Sequence, residues 1–330
     1  MRISKRFRSF IIGVASFIAV LYFLSILGIE PIHILETSFM AMTPLILAAV
    51  GESINERAGV VNIGLEGIFL ITAVTGVYWA EALGDGLSGI VVGGALIGAL
   101  IGFLFGFMST YGKAAQIIAG MGLNLVGLGM VPFLMMAFWA FPGIHMFDPD
   151  LRLRTIDIAV GGQVFRLSPI TVFALAFTIF ADILLYRTLL GIRIQAAGEK
   201  PEAVDVAGIN VNKIRILAST ICGALTGIGG AFMPLGWFGG LVKEITAGRG
   251  FIALAAAVFS GLDPTLSAIS SFIFGFSEGL AFTIMVTPGI KEAVPYYFIN
   301  MIPYLVTIIA LAFIGSRRFP RALGRPYVRE

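Results

Sequence analysis

Apolar runs, most of them close to the ~20 residues that cross a bilayer as an α-helix, alternate with short polar links along this chain. The first runs from Ser9 to Ile29, behind a head carrying Arg2, Lys5, Arg6 and Arg8. It is long for a signal-peptide core and no A-x-A site follows, so the pattern predicts a retained span. A second span is predicted over His33–Val50, followed by the link GESINERAG with Glu52, Glu56 and Arg57. The third, Val60–Ala80, ends in the acidic link EALGDG. In the fourth, Leu87–Met108, Gly94, Gly98, Gly102 and Gly106 recur at i, i+4 along one side, which predicts a close-packing seam. The fifth, Ala114–Phe141, is too long for a straight crossing and contains Gly120, Gly122, Gly127, Gly129 and Pro132, so it predicts a tilt, a kink or a partly re-entrant course.

The interval Pro142–Leu167 is polar, and its TIDIAVGGQVFRL reads as a hairpin about Gly161 and Gly162. Span six is Ser168–Tyr186 and span seven Ile214–Leu235, the latter with a Gly223/Gly227 pair. A short eighth run, Gly250–Ser260, stops at the turn signal GLDP. Spans nine and ten are Leu266–Val286 and Tyr297–Ile314.

Basic residues cluster in the head, in the loop Arg187–Arg215 and in the tail with Arg317, Arg318, Arg321, Arg325 and Arg329. The positive-inside rule puts all three clusters on the cytoplasmic face, which requires an even number of crossings. About ten crossings satisfy this; eight would need two of the shorter runs to be re-entrant.

The loop Arg187–Arg215 holds a compact helix signal of its own. Pro201 suits a first helical position, Glu202 the positive N-terminal end, and Gly208 a left-handed C′ residue. The helix so predicted, Pro201–Ala207, is too short to stand alone, so its flanks or a partner must hold it. It reads either as an ordinary membrane-side loop or as a knob that docks into a soluble partner.

Composition narrows the class. Of 330 residues, 58% are hydrophobic and only 12% charged, where soluble domains carry about 25% charge. This is an all-α polytopic membrane protein with no sizeable soluble domain. The single cysteine, Cys222, excludes a disulfide framework, and His33 and His145 lie too far apart in sequence to suggest a metal pair. The net charge of +3 sits in the tails and one loop, which speaks for topology and not for nucleic-acid binding.

Polar groups inside apolar runs are costly, and each invites a functional reading. Glu278, in FGFSEGLAF, falls near the middle of span nine; it faces a water-filled path or makes a helix–helix hydrogen bond. Asn62 and Glu66 are i, i+4 and would share a face in the opening turns of span three. Gln116 and Asn124 lie eight apart on roughly one face of span five. The four could line a solute path or bond neighbouring helices. The chain lacks a GxxxxGK[ST] phosphate loop, an HExxH pair and a GxSxG elbow. Any ATP that drives this protein is therefore bound by another chain, and no convergent catalytic set argues for an enzyme. An ion-driven secondary transporter would show paired broken helices, of which spans five and eight give only a trace.

Three segments resemble a known family. ERAGVVNIGLEG (Glu56–Gly67) is similar to the signature of permease subunits of bacterial ABC importers of the ribose, nucleoside and branched-chain amino-acid type. AAGEKPEAVDVAGINVNKIR (Ala196–Arg215), with GALTGIGGA after it, resembles the family's cytoplasmic coupling segment. GRGFIALAAAVFSGLDP (Gly248–Pro264) is the third match. The form NIGLEG resembles the nucleoside, or simple-sugar, permease subgroup. The resemblance implies the ABC importer permease fold with both termini cytoplasmic: a basic head and first span over 1–30, a permease domain over 31–315 with the coupling loop 187–215, and a basic tail over 316–330. It implies a multi-pass subunit of the bacterial inner membrane that carries a nucleoside, with riboflavin or a simple sugar as the alternative cargo. The partners implied are a substrate-binding protein, periplasmic or lipid-anchored, a second related permease, and an ATPase that holds ATP and magnesium. It gives Glu199, Pro201, Glu202, Asp205 and Gly208 a role in coupling to that ATPase.

Overall fold

The computed structural model of the protein describes residues 30–160, 162–287, 295–312 and 319–327, with the isolated residues 22, 25 and 26. Apart from those three, the predicted first span Ser9–Ile29 therefore lies outside the described residues. Helix α1 (Pro31–Arg57) opens on a proline and runs past the predicted end at Val50 through the whole of GESINER. Glu52, Ser53, Asn55 and Glu56 of that stretch are buried, so the presumed link is helix inside the bundle. Helix α2 (Leu65–Leu83) ends at Gly84 in the left-handed conformation. Helix α3 (Gly86–Thr110) contains a π-helical stretch, Gly89–Leu96. Helix α4 (Gln116–Trp139) passes unbroken through Pro132. Its 24 residues span about 36 Å, enough for one crossing.

Two small sheets lie at the end of the bundle away from Arg57. Strand β1 (Ile144–His145) pairs antiparallel with β4 (Leu241–Val242). The predicted hairpin is β2 (Ile156–Val160) against β3 (Gln163–Leu167), joined across 161–162. Helix α5 (Pro169–Arg187) is capped by the Ser168 hydroxyl. The loop expected after it is itself largely helical: α6 (Leu189–Glu199), α7 (Pro201–Val206) and then α8 (Val211–Phe238), which already includes Lys213 and Arg215. The last turn and a half of α8, Met233–Phe238, is π-helical, and Pro234 sits within it. Helix α9 (Arg249–Ser260) is short; α10 (Pro264–Val286) and α11 (Tyr296–Ala312) follow.

Among the described residues seven helices, α1 to α5, α8 and α10, are long and apolar enough to cross a membrane; α9 and the Tyr297–Ile309 part of α11 are shorter apolar helices. Helices α1, α2 and α8 form the centre and are the most buried of the seven. The predicted glycine seam is real: a Cβ on Gly94, Gly98 or Gly102 would run into the backbone of Gly227, Gly223 or Ser219 on α8. Without side chains between them, two helix backbones gain close van der Waals contact. On α10, Gly275 and Gly279 give the same intimacy against Met42 and Ser38 of α1. By contrast, α4 and α5 turn Ile118, Leu125, Phe133 and Ile179 outward, the apolar surface a lipid-facing helix needs.

Candidate functional site

Irregular backbone is tolerated at membrane depth only where protein groups satisfy it, and the turn from Ala58 to Gly64 shows how. Glu52 on α1 accepts the Asn62 amide at 2.7 Å through Oε1. Its other oxygen accepts from Asn55 Nδ2 at 3.1 Å and from the Cys222 thiol at 3.2 Å. Ser219 donates to Asn55 Oδ1 at 2.7 Å, tying α8 into the same network. The Asn62 side chain accepts from the Gly64 amide at 2.8 Å. From α4, Gln116 Oε1 accepts the Val61 amide at 2.8 Å, and Asn124 accepts the Gly67 amide at 2.8 Å while donating to the Ile63 carbonyl at 3.0 Å. Asn62 thus precedes helix α2 instead of sharing a face of it with Glu66, because these tertiary partners hold the chain in a turn until Leu65.

Glu66 is spent at the other end of the same support. Its Oε1 accepts from the Thr246 hydroxyl at 2.5 Å and the Gly248 amide at 2.9 Å, and Oε2 accepts the Gly250 amide at 2.7 Å. It caps the start of α9 from a neighbouring helix, and a carboxylate there also meets the positive end of the helix. A Cβ at Gly250 would collide with Glu66, so glycine is required for this approach. Four of the five polar candidates, Asn62, Glu66, Gln116 and Asn124, therefore converge on the α1–α2 turn and the α9 cap.

The fifth lies apart. Glu278 on α10 pairs with Arg249, the first residue of α9. Arg249 also donates from Nη1 to the carbonyls of Ile245 at 2.9 Å and Thr246 at 3.2 Å. Its guanidinium carbon lies 4.8 Å from the Trp237 ring centre and 5.2 Å from that of Phe238, a cation–π arrangement. Its Nε is buried with no hydrogen-bond partner among the described residues. A cavity of about 400 Å³ opens here, lined by Arg249, Glu278, Trp237, Phe282 and Tyr304 among others. A larger one, about 960 Å³, shares Trp237, Phe238 and Phe282 with it and reaches Glu36, Arg152, Arg154 and Arg166. The sequence reading missed Arg249; its one signal is a charge set between glycines ahead of a short apolar run.

At the opposite end, α7 stands as the sequence predicts, to within a residue. Pro201 is its first residue, Glu202 lies in its first turn, and Gly208 takes φ +78° and donates to the Asp205 carbonyl. Val206, on a six-residue helix, is 89% exposed. Glu199 ends α6 and, with Pro201, Glu202, Arg321, Arg325 and Tyr327, lines a cleft of about 350 Å³. Residues 319–327, read from sequence only as part of a basic tail, pack into this end. The Ala322 amide donates to the Gly198 carbonyl at 2.8 Å and the Gly324 amide to that of Gly59 at 3.1 Å. Tyr327 donates to Asp205 at 3.0 Å. The fully buried Arg215 gathers three segments, donating to the carbonyls of Ala58, Ala197 and Arg325 at 3.1, 3.2 and 2.8 Å. Arg57 beside it bonds the carbonyls of Gly261 and Leu262, tying in the turn before α10.

His145 pairs with Glu81 at 2.7 Å, and His33 lies between Glu30 and Glu36. Among the described residues no group of three His, Cys, Asp or Glu side chains could hold a metal ion.

A membrane bundle with a small exposed helix at one end and its two larger cavities toward the other suits a transport subunit, and comparison with known proteins agrees. The chain belongs to the family described as branched-chain amino acid transport system / permease component, which matches residues 34–311. It is a multi-pass membrane permease of an ABC importer, a transport subunit without a catalytic domain. It is 34% identical to the nucleoside ABC transporter permease protein NupC of Lactococcus lactis over 87% of this chain and 94% of that one. It is 32% identical to the guanosine ABC transporter permease protein NupQ of Bacillus subtilis, covering 90% of this chain and 96% of NupQ. TsgC13 of Haloferax volcanii, whose name proposes glucose as its cargo, is 32% identical over 90% of this chain and 98% of its own. No solved structure matches the chain.

Proposed function

We propose that the chain forms part of the path through which a nucleoside crosses the membrane. The observation that carries this reading is the inner cavity, where the Arg249–Glu278 pair meets Trp237 and Phe238 at the start of the short helix α9. An apolar cavity with a few convergent polar groups is the usual form of a small-molecule site. The larger cavity, with Arg152, Arg154 and Arg166, is the entrance on the side where a substrate-binding protein delivers its load. Of the five polar candidates, Glu278 lines the path, while Asn62, Glu66, Gln116 and Asn124 keep the bundle in shape around it.

Helix α7 is the coupling element. Its exposed Val206 and its first-turn Glu202 fit a groove on an ATPase, in the way a small helix docks by an apolar anchor. A second, related permease completes the path, and ATP with magnesium acts in the ATPase. Both termini are cytoplasmic, with ten passes when Ser9–Ile29 and the short α9 and α11 are counted.

The likeness to NupC and NupQ favours a nucleoside; that to TsgC13 supports a simple sugar as the second reading. Uptake of labelled guanosine by cells carrying the whole transporter, with and without this chain, tests the choice. Loss of uptake on deletion, with competition by nucleosides but not by ribose or riboflavin, is the expected result. Guanosine uptake that persists without the chain would move the cargo to a sugar or a flavin.

A further inference from the structure

We propose that Arg249 and Glu278 form a base-reading subsite: the pair hydrogen-bonds the edge of a nucleobase whose ring lies against Trp237 and Phe238. This rests on the nucleoside reading and adds to it which part of the molecule the permease recognises.

The hydrogen-bonding inventory points this way. A guanidinium has five N–H donors. In Arg249, Nη1 is spent on two backbone carbonyls and Nη2 engages Glu278 Oε1, while Nε is buried without an acceptor. Glu278 has Oε1 on the arginine, and its second oxygen carries no hydrogen bond among the described residues. A donor that lacks an acceptor thus stands beside an acceptor that lacks a donor. Of the five buried side-chain polar atoms without a partner among the described residues, only Arg249 Nε belongs to a residue that lines this cavity, and such a couple is the mark of a missing ligand. The complement is a molecule with an acceptor and an N–H next to each other. The lactam edge of guanine, hypoxanthine or uracil has that form: its C=O takes the arginine N–H, and its ring N–H, in guanine also the amino group, meets the carboxylate. An arginine donating to the guanine carbonyl is a recurrent pairing.

A sugar hydroxyl also donates and accepts, so the edge alone does not choose. The rings do. Trp237 and Phe238 stack on each other at 4.3 Å with 22° between their planes, and both line the cavity with Arg249. Aromatic faces stack ring to ring on any base, whereas a ribose offers them only C–H groups. At about 400 Å³ the cavity is of the size that takes a small ligand of this kind.

The test uses the complete transporter in lipid nanodiscs, without its binding protein, so that the permease alone does the reading. Guanosine, 1-methylguanosine and ribose are titrated against tryptophan fluorescence, and the Trp237→Phe variant isolates the signal of that ring. Guanosine should quench the Trp237 component, ribose should not, and 1-methylguanosine, which lacks the N1–H, should bind about ten-fold more weakly, as expected for one charge-assisted hydrogen bond. Glu278→Gln should weaken guanosine to a similar degree and leave 1-methylguanosine nearly unchanged. Equal affinity for guanosine and its methyl analogue in the unaltered protein would overturn the subsite, as would quenching by ribose or none by guanosine. That comparison needs no variant to fold. Guanosine uptake by cells, measured in parallel, separates the two levels: normal uptake with no discrimination by the permease removes the subsite alone, whereas absent uptake removes the nucleoside reading beneath it.

Discussion

Two buried polar clusters lie close together in this bundle, and they differ in one respect. Around the α1–α2 turn, the oxygens of Asn62, Glu66, Gln116 and Asn124 accept backbone amides, and Glu52 is ringed by three donors. At the cavity, Arg249 and Glu278 hold each other and keep hydrogen-bonding capacity in reserve. The oxygens of the first cluster are all engaged, which closes it to an incoming donor although Gln116 Nε2 is buried there without a partner among the described residues; the second is open to donor and acceptor alike. An intramembrane polar residue is costly in either case, but only an open set can exchange partners with a passing solute. Counting polar residues in apolar spans finds both; asking where each lone pair goes separates them.

Substitutions ordered by their expected cost to stability sharpen the contrast. Glu66→Ala strands the Thr246 hydroxyl and the Gly248 and Gly250 amides. It should cost about 3 kcal/mol or more, read as a large fall in melting temperature of the purified complex and in the amount inserted. Asn124→Leu releases two hydrogen bonds and should cost about 2 kcal/mol, with uptake per folded molecule unchanged. Reduced uptake by the folded fraction of Asn124→Leu would place that amide in the path. Glu278→Gln keeps an acceptor for Arg249, so its melting temperature should move less than in either of those variants. Uptake per folded molecule should nevertheless drop about ten-fold; full uptake would close the second cluster too. Smallest in stability is Glu202→Lys on α7, which should leave melting unchanged and uncouple ATP hydrolysis from uptake. Gly208→Pro, which cannot adopt φ +78°, should uncouple as well. Normal coupling in both would remove the docking role.

Much of the fold is legible in local pattern. Apolar runs mark the helices; Gly94, Gly98 and Gly102 mark the seam; the flanks of Gly161 and Gly162 mark the hairpin; and Pro201 with Gly208 bounds α7. Each of these signals lies within a few residues of what it specifies. What stays hidden depends on partners far along the chain. Glu52 looks like part of a polar link until Asn62, Asn55 and Cys222 surround it. Asn62 looks helical until Gln116 and Asn124 are seen to hold the turn around it. Arg249 looks like one more charge in GRG until α10 brings Glu278 against it. Arg215 looks like a topology marker, yet it is the largest fully buried side chain among the described residues. No spacing rule connects residues 58, 197, 215 and 325.

That last junction has a consequence for how the molecule is made. Ala58, Ala197 and Arg215 leave the ribosome well before Arg325, so the guanidinium waits for its third acceptor until the chain beyond α11 has been synthesised. The hydrogen bonds from Ala322 to Gly198 and from Gly324 to Gly59 arrive at the same late moment. The cleft beside α7 is finished by residues 319–327. A chain made only as far as α11 has the helix α7 but not its buttress, and one made through residue 327 has both.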